Sequence, residues 1–439
     1  MDLYPCLSFC ISPFVLKTLK DEHKGDMDMV SKLRVWLSHE NVSKDLLLLL
    51  TIGGLYSLGI FLSSTFVNIY LWKQSNSYID IALYNLAIYV LQPLTFILAG
   101  KCAKRMDRVI VLRTGVTVLS LFFLTVLLVG EKAATFNIML GALLGIGYGF
   151  YWLAYNVLTF EITEPDTRDF FNGFLGVLQS LGGMTGPLLA GYIISRLNNF
   201  TGYTVIFTIS FGLFIIAVLV SFGLSRRKAK GNFSFRRVVT ERKNNSNWKR
   251  ILSAHISQGF REGTFLFAVS IWIFLMTNDE LSLGVFNLVY SGFSFLFYFL
   301  VSRWVKPSRR KKAIFISGLA LYLSVLILLI SDTLSLLLIY AGIAGIFFPM
   351  FYVPYISLTY DVIGKSWNAA EMRIEYIVVR EIFLNLGRVL SIIIFLLAIT
   401  LIPPETGIPY ILLLVGGGHF FVYFFVRGVD TKYTYSSHN

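Results

Sequence analysis

Charge is what this sequence has least of: Asp, Glu, Lys and Arg make up 14% of its 439 residues, where a soluble domain carries roughly 25%. With 56% hydrophobic residues and a mean hydropathy of +0.69, a water-soluble fold is excluded, because no core could bury that much apolar surface. Cysteine is scarce too. Cys6, Cys10 and Cys102 supply neither a disulfide framework nor a paired metal-ligand spacing, and no metal site is expected. His255 and His419 stand isolated and His438 lies in the tail, so no hydrolase or redox constellation is visible. No Walker-type loop is present: Gly145-Ile146-Gly147-Tyr148-Gly149 lacks the Lys-Ser/Thr end and falls in mid-helix, where it reads as packing. Neither an enzyme nor a cofactor is expected. Residues 1–45 lack the positive start and small-residue cleavage site of a signal peptide. They read as a peripheral cytoplasmic segment, or as an upstream start with the true one at Met27 or Met29.

What the sequence has in abundance is apolar runs long enough to cross a bilayer, which takes about 20 residues each. They fall at about 46–72, 81–100, 109–129, 135–158, 173–194 and 203–224, then at 257–277, 281–302, 312–331, 334–358, 377–402 and 408–427. The expected fold is therefore an all-α membrane protein of twelve transmembrane helices in two six-helix bundles. The bundles are residues 46–224 and 257–427, with a linker at 225–256 and a tail at 428–439.

The net charge of +13 does not point to nucleic acid, because the basic residues form no stripe interleaved with aromatics. They lie in alternate gaps instead. Lys101, Lys104, Arg105 and Arg108 follow run 2, a cluster from Arg226 to Lys243 follows run 6, and Arg303 to Lys312 follow run 8. The gaps after runs 1, 7, 9 and 11 are poor in charge. By the positive-inside rule, both termini are expected in the cytoplasm of a bacterial cell, with the chain crossing its plasma membrane as a monomer surrounded by lipid.

The two halves echo one another. Tyr155-Asn156-Val157-Leu158-Thr159-Phe160-Glu161 closes run 4, and Tyr355-Ile356-Ser357-Leu358-Thr359-Tyr360-Asp361 closes run 10, at an offset of 200 residues. Gly54 and Gly59 on run 1 answer Gly259 and Gly263 on run 7. Duplicated halves suit a transporter whose substrate sits between them near mid-membrane.

Gly100-Lys101-Cys102-Ala103-Lys104-Arg105-Met106-Asp107-Arg108 resembles the pattern Gly-x-Leu-Ala-Asp-Arg-x-Gly-Arg of the major facilitator superfamily. The resemblance covers the chain beyond residue 45 and implies alternating-access transport of a small molecule. It also implies a latch between the halves, for which Gly100, Arg105, Asp107, Arg108, Glu161 and Asp361 are the candidates, with Glu161 as the expected partner of Arg105. Lys104 stands where the family has Asp. Gly173, Gly182, Gly186, Pro187 and Gly191 are similar in spacing to the helix-5 motif of drug-exporting antiporters, which implies export. Phe351 to Tyr355, Glu371 to Tyr376 and Arg380-Glu381 resemble the YqgE-like group of the superfamily, and that resemblance carries no substrate with it.

Ionisable residues inside a bilayer cost a few kcal/mol or more and are functional suspects for that reason. Arg261 and Glu262 are expected about one turn inside helix 7. Arg380 and Glu381 fall near the edge of helix 11, with Arg388 deeper. Glu381, Asn385 and Arg388 share a helical face at spacing i, i+4, i+7. Burial favours the neutral form of a carboxylate, so Glu262 or Glu381 is a candidate to take and release a coupling proton. The alternative is structural: salt bridges of Glu262 with Arg261, or of Glu381 with Arg388. The resemblance implies a cavity lined by helices 1, 4, 7 and 10, which nominates Asn68, Tyr148, Trp152, Tyr155, Asn156, Trp272, Tyr352 and Tyr355 for an amphiphilic substrate. The same aromatics serve equally as packing or interface anchors. Import by the same fold and lipid flipping are the competing functions.

Overall fold

The computed structural model describes residues 43–162, 165–197, 200–226, 231–330 and 333–430. The expectations for residues 1–42, including Met27 and Met29, lie outside the described residues. Long helices dominate, as they must where no water is at hand for backbone N–H and C=O groups. They are α1 (Lys44–Ser75), α2 (Tyr78–Arg105), α3 (Arg108–Val129), α4 (Asn137–Ile162), α5 (Pro165–Arg196) and α6 (Thr201–Ser221). The second set comprises α7 (Ser246–Thr277), α8 (Glu280–Trp304), α9 (Arg310–Ile330), α10 (Leu334–Gly364) and α11 (Arg373–Leu401). The last, α12, runs as Pro404–Gly416 and Gly418–Val426 with a break at Gly417.

Among the described residues eleven stretches are long and apolar enough to cross a membrane. One of them, Arg108–Thr159, has 52 residues, far more than a single crossing needs. The 3-10 turn Gly130–Phe136 folds it into α3 and α4, and the crossings number twelve.

The halves are built to one plan. In the first, α4 packs against α2 and α3, α1 against α5 and α6, and α3 against α6. In the second, α10 packs against α8 and α9, α7 against α11 and α12, and α9 against α12. The turns repeat too. Asn76 and Asn278 end α1 and α7 in the left-handed conformation (φ 50° and 49°), which Asn tolerates better than other side chains. Ser77 and Asp279 then cap α2 and α8 through their side-chain oxygens. The halves meet along α5–α8 and α2–α11.

Glycine allows the closest of these approaches. A Cβ on Gly259 would lie 1.9 Å from the Leu384 carbonyl oxygen, and one on Gly387 would lie 2.1 Å from that of Ile256. Small residues four apart let helix backbones touch, and here they press α7 onto α11. The helix-5 motif packs similarly: Gly186 meets the backbone of Leu62 on α1, and Gly191 meets that of Glu280 on α8. Gly173 lies on α5, but its surroundings are outside the described residues.

One boundary differs from the sequence expectation in a way that matters. Helix α7 begins at Ser246 rather than near 257, capped by Asn245. Its first three turns are too polar to register as a spanning run, yet Trp248 there is fully buried, edge-on to Tyr376 of α11. This extension moves Glu262 from near one end of the helix to its middle. The segment before it holds a short helix, Phe235–Glu241, whose Val238 carbonyl accepts a hydrogen bond from the Trp248 indole at 3.2 Å. The side carrying this segment is called the linker face below, and the opposite side the far face.

Candidate functional site

Between the halves, at the level of Glu262 and Arg388, lies a cavity of about 170 Å³, room for on the order of ten waters. Among the described residues, the acidic, basic and histidine side chains on its wall all come from the second half: Arg261 and Glu262 on α7, Arg388 on α11 and His419 on α12. The first half contributes aromatics and amides, including Asn68, Asn85, Tyr148 and Trp152. The Asn85 amide donates to Asn68 Oδ1 at 2.8 Å, and the Trp152 indole donates to the Tyr56 hydroxyl at 3.0 Å.

Glu262 is the centre of the polar network. Arg388 Nη2 donates to its Oε2 at 2.8 Å, with Nε of the same residue at 3.3 Å. Gln258 Nε2, one turn earlier on α7, donates to Oε1 at 2.7 Å. Arg388 also donates to Asn385 Oδ1 at 3.3 Å and lies 5.0 Å from the centre of the Tyr89 ring on α2. The pair is therefore held from α7, α11 and the opposite half together. Burying two charges repays their desolvation only with good geometry and satisfied hydrogen bonds, and both conditions are met.

The pairings differ from the sequence expectation. Glu262 pairs with Arg388, not with Arg261. Glu381 pairs with its neighbour Arg380 at 2.5 Å, not with Arg388. Arg380 also reaches the Tyr360 hydroxyl at 3.3 Å, forming a second buried cluster toward the linker face and off the cavity wall. The rotation of each helix decides this: the i, i+7 spacing puts Glu381 and Arg388 on one face of α11 but two turns apart along it.

Of the nominated substrate residues, Asn68, Tyr148 and Trp152 line the cavity, whereas Tyr155, Asn156, Trp272, Tyr352 and Tyr355 do not. Tyr155 and Tyr355 instead tie α4 to α1 and α10 to α7. The Tyr155 hydroxyl donates to the Leu49 carbonyl at 3.3 Å, and the Tyr355 hydroxyl lies 2.8 Å from His255 Nδ1. The wall is also broader than helices 1, 4, 7 and 10, since α2, α8, α11 and α12 contribute to it. Sequence reading passed over His419, Gln258 and Tyr89. His419 had a signal, being an ionisable residue inside a spanning run after Gly416-Gly417-Gly418. Gln258 and Tyr89 had none, because neutral polar residues are common in such helices.

At the linker face the latch candidates divide. Glu161 pairs with Arg108 rather than Arg105, and Asp361 pairs with Arg310 at 2.6 Å. Both contacts lie within a half, joining α4 to α3 and α10 to α9, so the 200-residue echo marks an intra-bundle brace. Arg105 is exposed, and Asp107 caps α3 through the Val109 amide at 2.9 Å. Lys104, the departure from the family pattern, crosses between halves. Its Nζ lies 3.2 Å from Glu375 Oε1 and donates to the Glu371 carbonyl at 2.7 Å. Glu375 is wholly buried and also accepts from the Ser234 amide at 3.1 Å. Gly100 leaves room for Phe233 beside Val378. At the far face Lys73 on α1 and Tyr203 on α6 both bind Glu280 on α8, at 2.5 and 2.8 Å.

Residues 49–391 match the sequence profile of the Major Facilitator Superfamily. The chain belongs to this superfamily. Within it, the chain is 55% identical over 403 residues to the "Uncharacterized protein YqgE" of Bacillus subtilis (strain 168), covering 92% of this chain and 94% of that one. It is 66% identical over 168 residues to an "Uncharacterized protein in sodM 3'region" of Geobacillus stearothermophilus, a match to 38% of this chain and 78% of the relative. The fold is similar to the human organic anion transporter MFSD10 (TETRAN), with a TM-score of 0.65 and 14% identity over 87% of this chain and 98% of that one. It is also similar to the nucleoside transporter NupG, with a TM-score of 0.66 and 13% identity over 88% and 99%. This is the fold of superfamily transporters, and the chain is a multi-pass membrane protein.

Proposed function

We propose that the chain is a secondary transporter that moves a small amphiphilic molecule through the central cavity by alternating access, coupled to proton movement and in the direction of export. The observation that carries the reading is the mid-membrane cavity between two pseudo-symmetric halves, with Glu262 the one carboxylate on its wall among the described residues. Glu262 is the group best placed to sense both substrate and proton, since Glu381 is engaged off the cavity. The spacing of Gly182, Gly186, Pro187 and Gly191 on α5 supports the export direction, with these residues packed between α1 and α8. The solved neighbours carry solutes as different as an organic anion and a nucleoside, so the fold alone does not choose the cargo. Basic residues concentrate at the linker face, which supports a cytoplasmic position for that face and a bacterial plasma-membrane location for the chain. The cavity and its pairs are complete within one chain, which supports a monomer.

The test is a compound panel assayed in proteoliposomes with an imposed pH gradient. The expected result is accumulation of at least one compound with matching proton flux; accumulation without proton flux removes the coupling claim.

Alternating access also requires contacts between halves that form on one face and break on the other. Lys104–Glu375 and Lys73–Glu280 fit those places. Lys104→Glu sets two carboxylates against each other at the linker face and is expected to slow transport by about tenfold or more, like charges in a desolvated contact costing several kcal/mol. The exchange Lys104→Glu with Glu375→Lys is expected to recover most of the rate. An exchange as slow as the single variant would show that the pair has no gating role.

A further inference from the structure

The ionisable groups on the cavity wall do not sum to neutrality. Glu262 is balanced by Arg388, yet Arg261 faces the same cavity with no carboxylate partner among the described residues. Its Nη1 lies 3.4 Å from His419 Nδ1, Tyr340 is an electrostatic neighbour, and its guanidinium carbon sits 4.2 Å from the centre of the Phe265 ring. None of these groups is an anion. The residue is only 8% exposed, and its Nε is buried without any hydrogen-bond partner. An arginine is always charged, and a buried charge is normally paired. Arg261 stands on the cavity wall, where a solute can supply the partner.

Neighbouring groups fix the guanidinium in place. Phe265 lies against its face, His419 meets its Nη1, and His419 Nε2 lies 3.8 Å from Glu262 Oε1. A guanidinium on a cavity wall suits a planar carboxylate, which it can take in a bidentate pair. Arg261, Arg388 and Glu262 together leave one positive charge in surplus among the described residues, which suits a monoanion. Aromatic side chains make up much of the opposite wall, Tyr148 and Trp152 among them, and suit a flat apolar body.

We propose that Arg261 is the anchor for the anionic group of the transported molecule, and that the substrate class is an aromatic or similarly apolar monocarboxylate. This rests on the transport reading above and narrows it. A cationic amphiphile is disfavoured by the same surplus charge.

The test uses the full-length protein in lipid nanodiscs with three matched probes: 1-naphthoate, its methyl ester and 1-naphthylmethylamine. Binding is read from the shift in thermal unfolding midpoint and transport from counterflow in proteoliposomes. The carboxylate is expected to bind about ten to a hundred times more tightly than the ester, the range for a charge-assisted pair against a neutral contact. Arg261→Gln is expected to erase that preference, and Arg261→Lys to retain part of it. Arg261→Gln is also expected to leave the empty protein as stable as the wild type or more so, because it removes an unpaired buried charge. A purely structural arginine would instead lower the midpoint. Lower stability in Arg261→Gln, or no preference for the carboxylate in the wild type, overturns the proposal. Selective binding without counterflow would keep the anion site and defeat the transport reading. Counterflow of the ester or the amine in preference to the carboxylate would keep transport and defeat the anion site.

Discussion

Glu262→Gln is expected to abolish proton-coupled transport and to destabilise the protein by about 3–5 kcal/mol, the usual consequence of removing one partner of a buried ion pair. The carboxylate accepts from Arg388 twice and from Gln258 once. The amide presents one acceptor oxygen and two donors, so it satisfies Arg388 poorly and meets Gln258 donor to donor. Two positive charges then remain in one cavity with no negative one. The double variant Glu262→Gln with Arg388→Gln is expected to regain most of the stability without regaining transport, because the pair can hydrogen-bond but carries no charge to titrate. Glu381→Gln should keep coupling, since its partner Arg380 lies off the cavity. Thermal unfolding in detergent and proton-driven flux in vesicles separate these outcomes. Normal coupling in Glu262→Gln would refute the assigned role.

Gly259→Ala should have the largest effect of any single methyl added at the described glycines. The new carbon would sit 1.9 Å from the Leu384 carbonyl oxygen and 3.1 Å from the Arg388 amide, and both neighbours are backbone that cannot rotate away. Helices α7 and α11 must separate, and Arg388 moves off Glu262 with its helix. Overpacking alone costs about 1–3 kcal/mol, and the loosened ion pair adds to it. Gly212 on α6 provides the control: nothing lies within 4 Å of a Cβ built there. Gly212→Ala is expected to be neutral or to stabilise by up to about 1 kcal/mol through helix propensity. Equal midpoints for the two variants would show that α7–α11 contact is not what orders the cavity.

Much of the fold was legible because a bilayer admits few solutions. Every spanning segment must satisfy its own backbone, so long apolar runs disclose helices, and alternate basic gaps disclose which loops share a side. The echo of Tyr155–Glu161 in Tyr355–Asp361 disclosed the duplication, and each acidic end pairs with an arginine of its own bundle. The site was only partly legible. Residues of interest were found by their charge, but the run edge at 257 hid three polar turns of α7 and with them the central depth of Glu262. His419 was passed over as isolated in sequence, yet it stands beside Arg261 and Glu262.

The scarcity of charge, the twelve runs, the repeat and the Gly100–Arg108 pattern were enough to determine a duplicated membrane transporter and its superfamily. Composition and spacing suffice for that, because hydrophobic length and local motif do not depend on how the helices are turned. Which carboxylate meets which arginine was decided only by the tertiary structure. Glu262 and Arg388 are 126 residues apart in the chain, and their meeting depends on the rotation and axial register of α7 against α11. Contacts at Gly259, Gly263 and Gly387 set that register. The same register pairs Arg388 and leaves Arg261 facing the cavity without a counter-ion among the described residues.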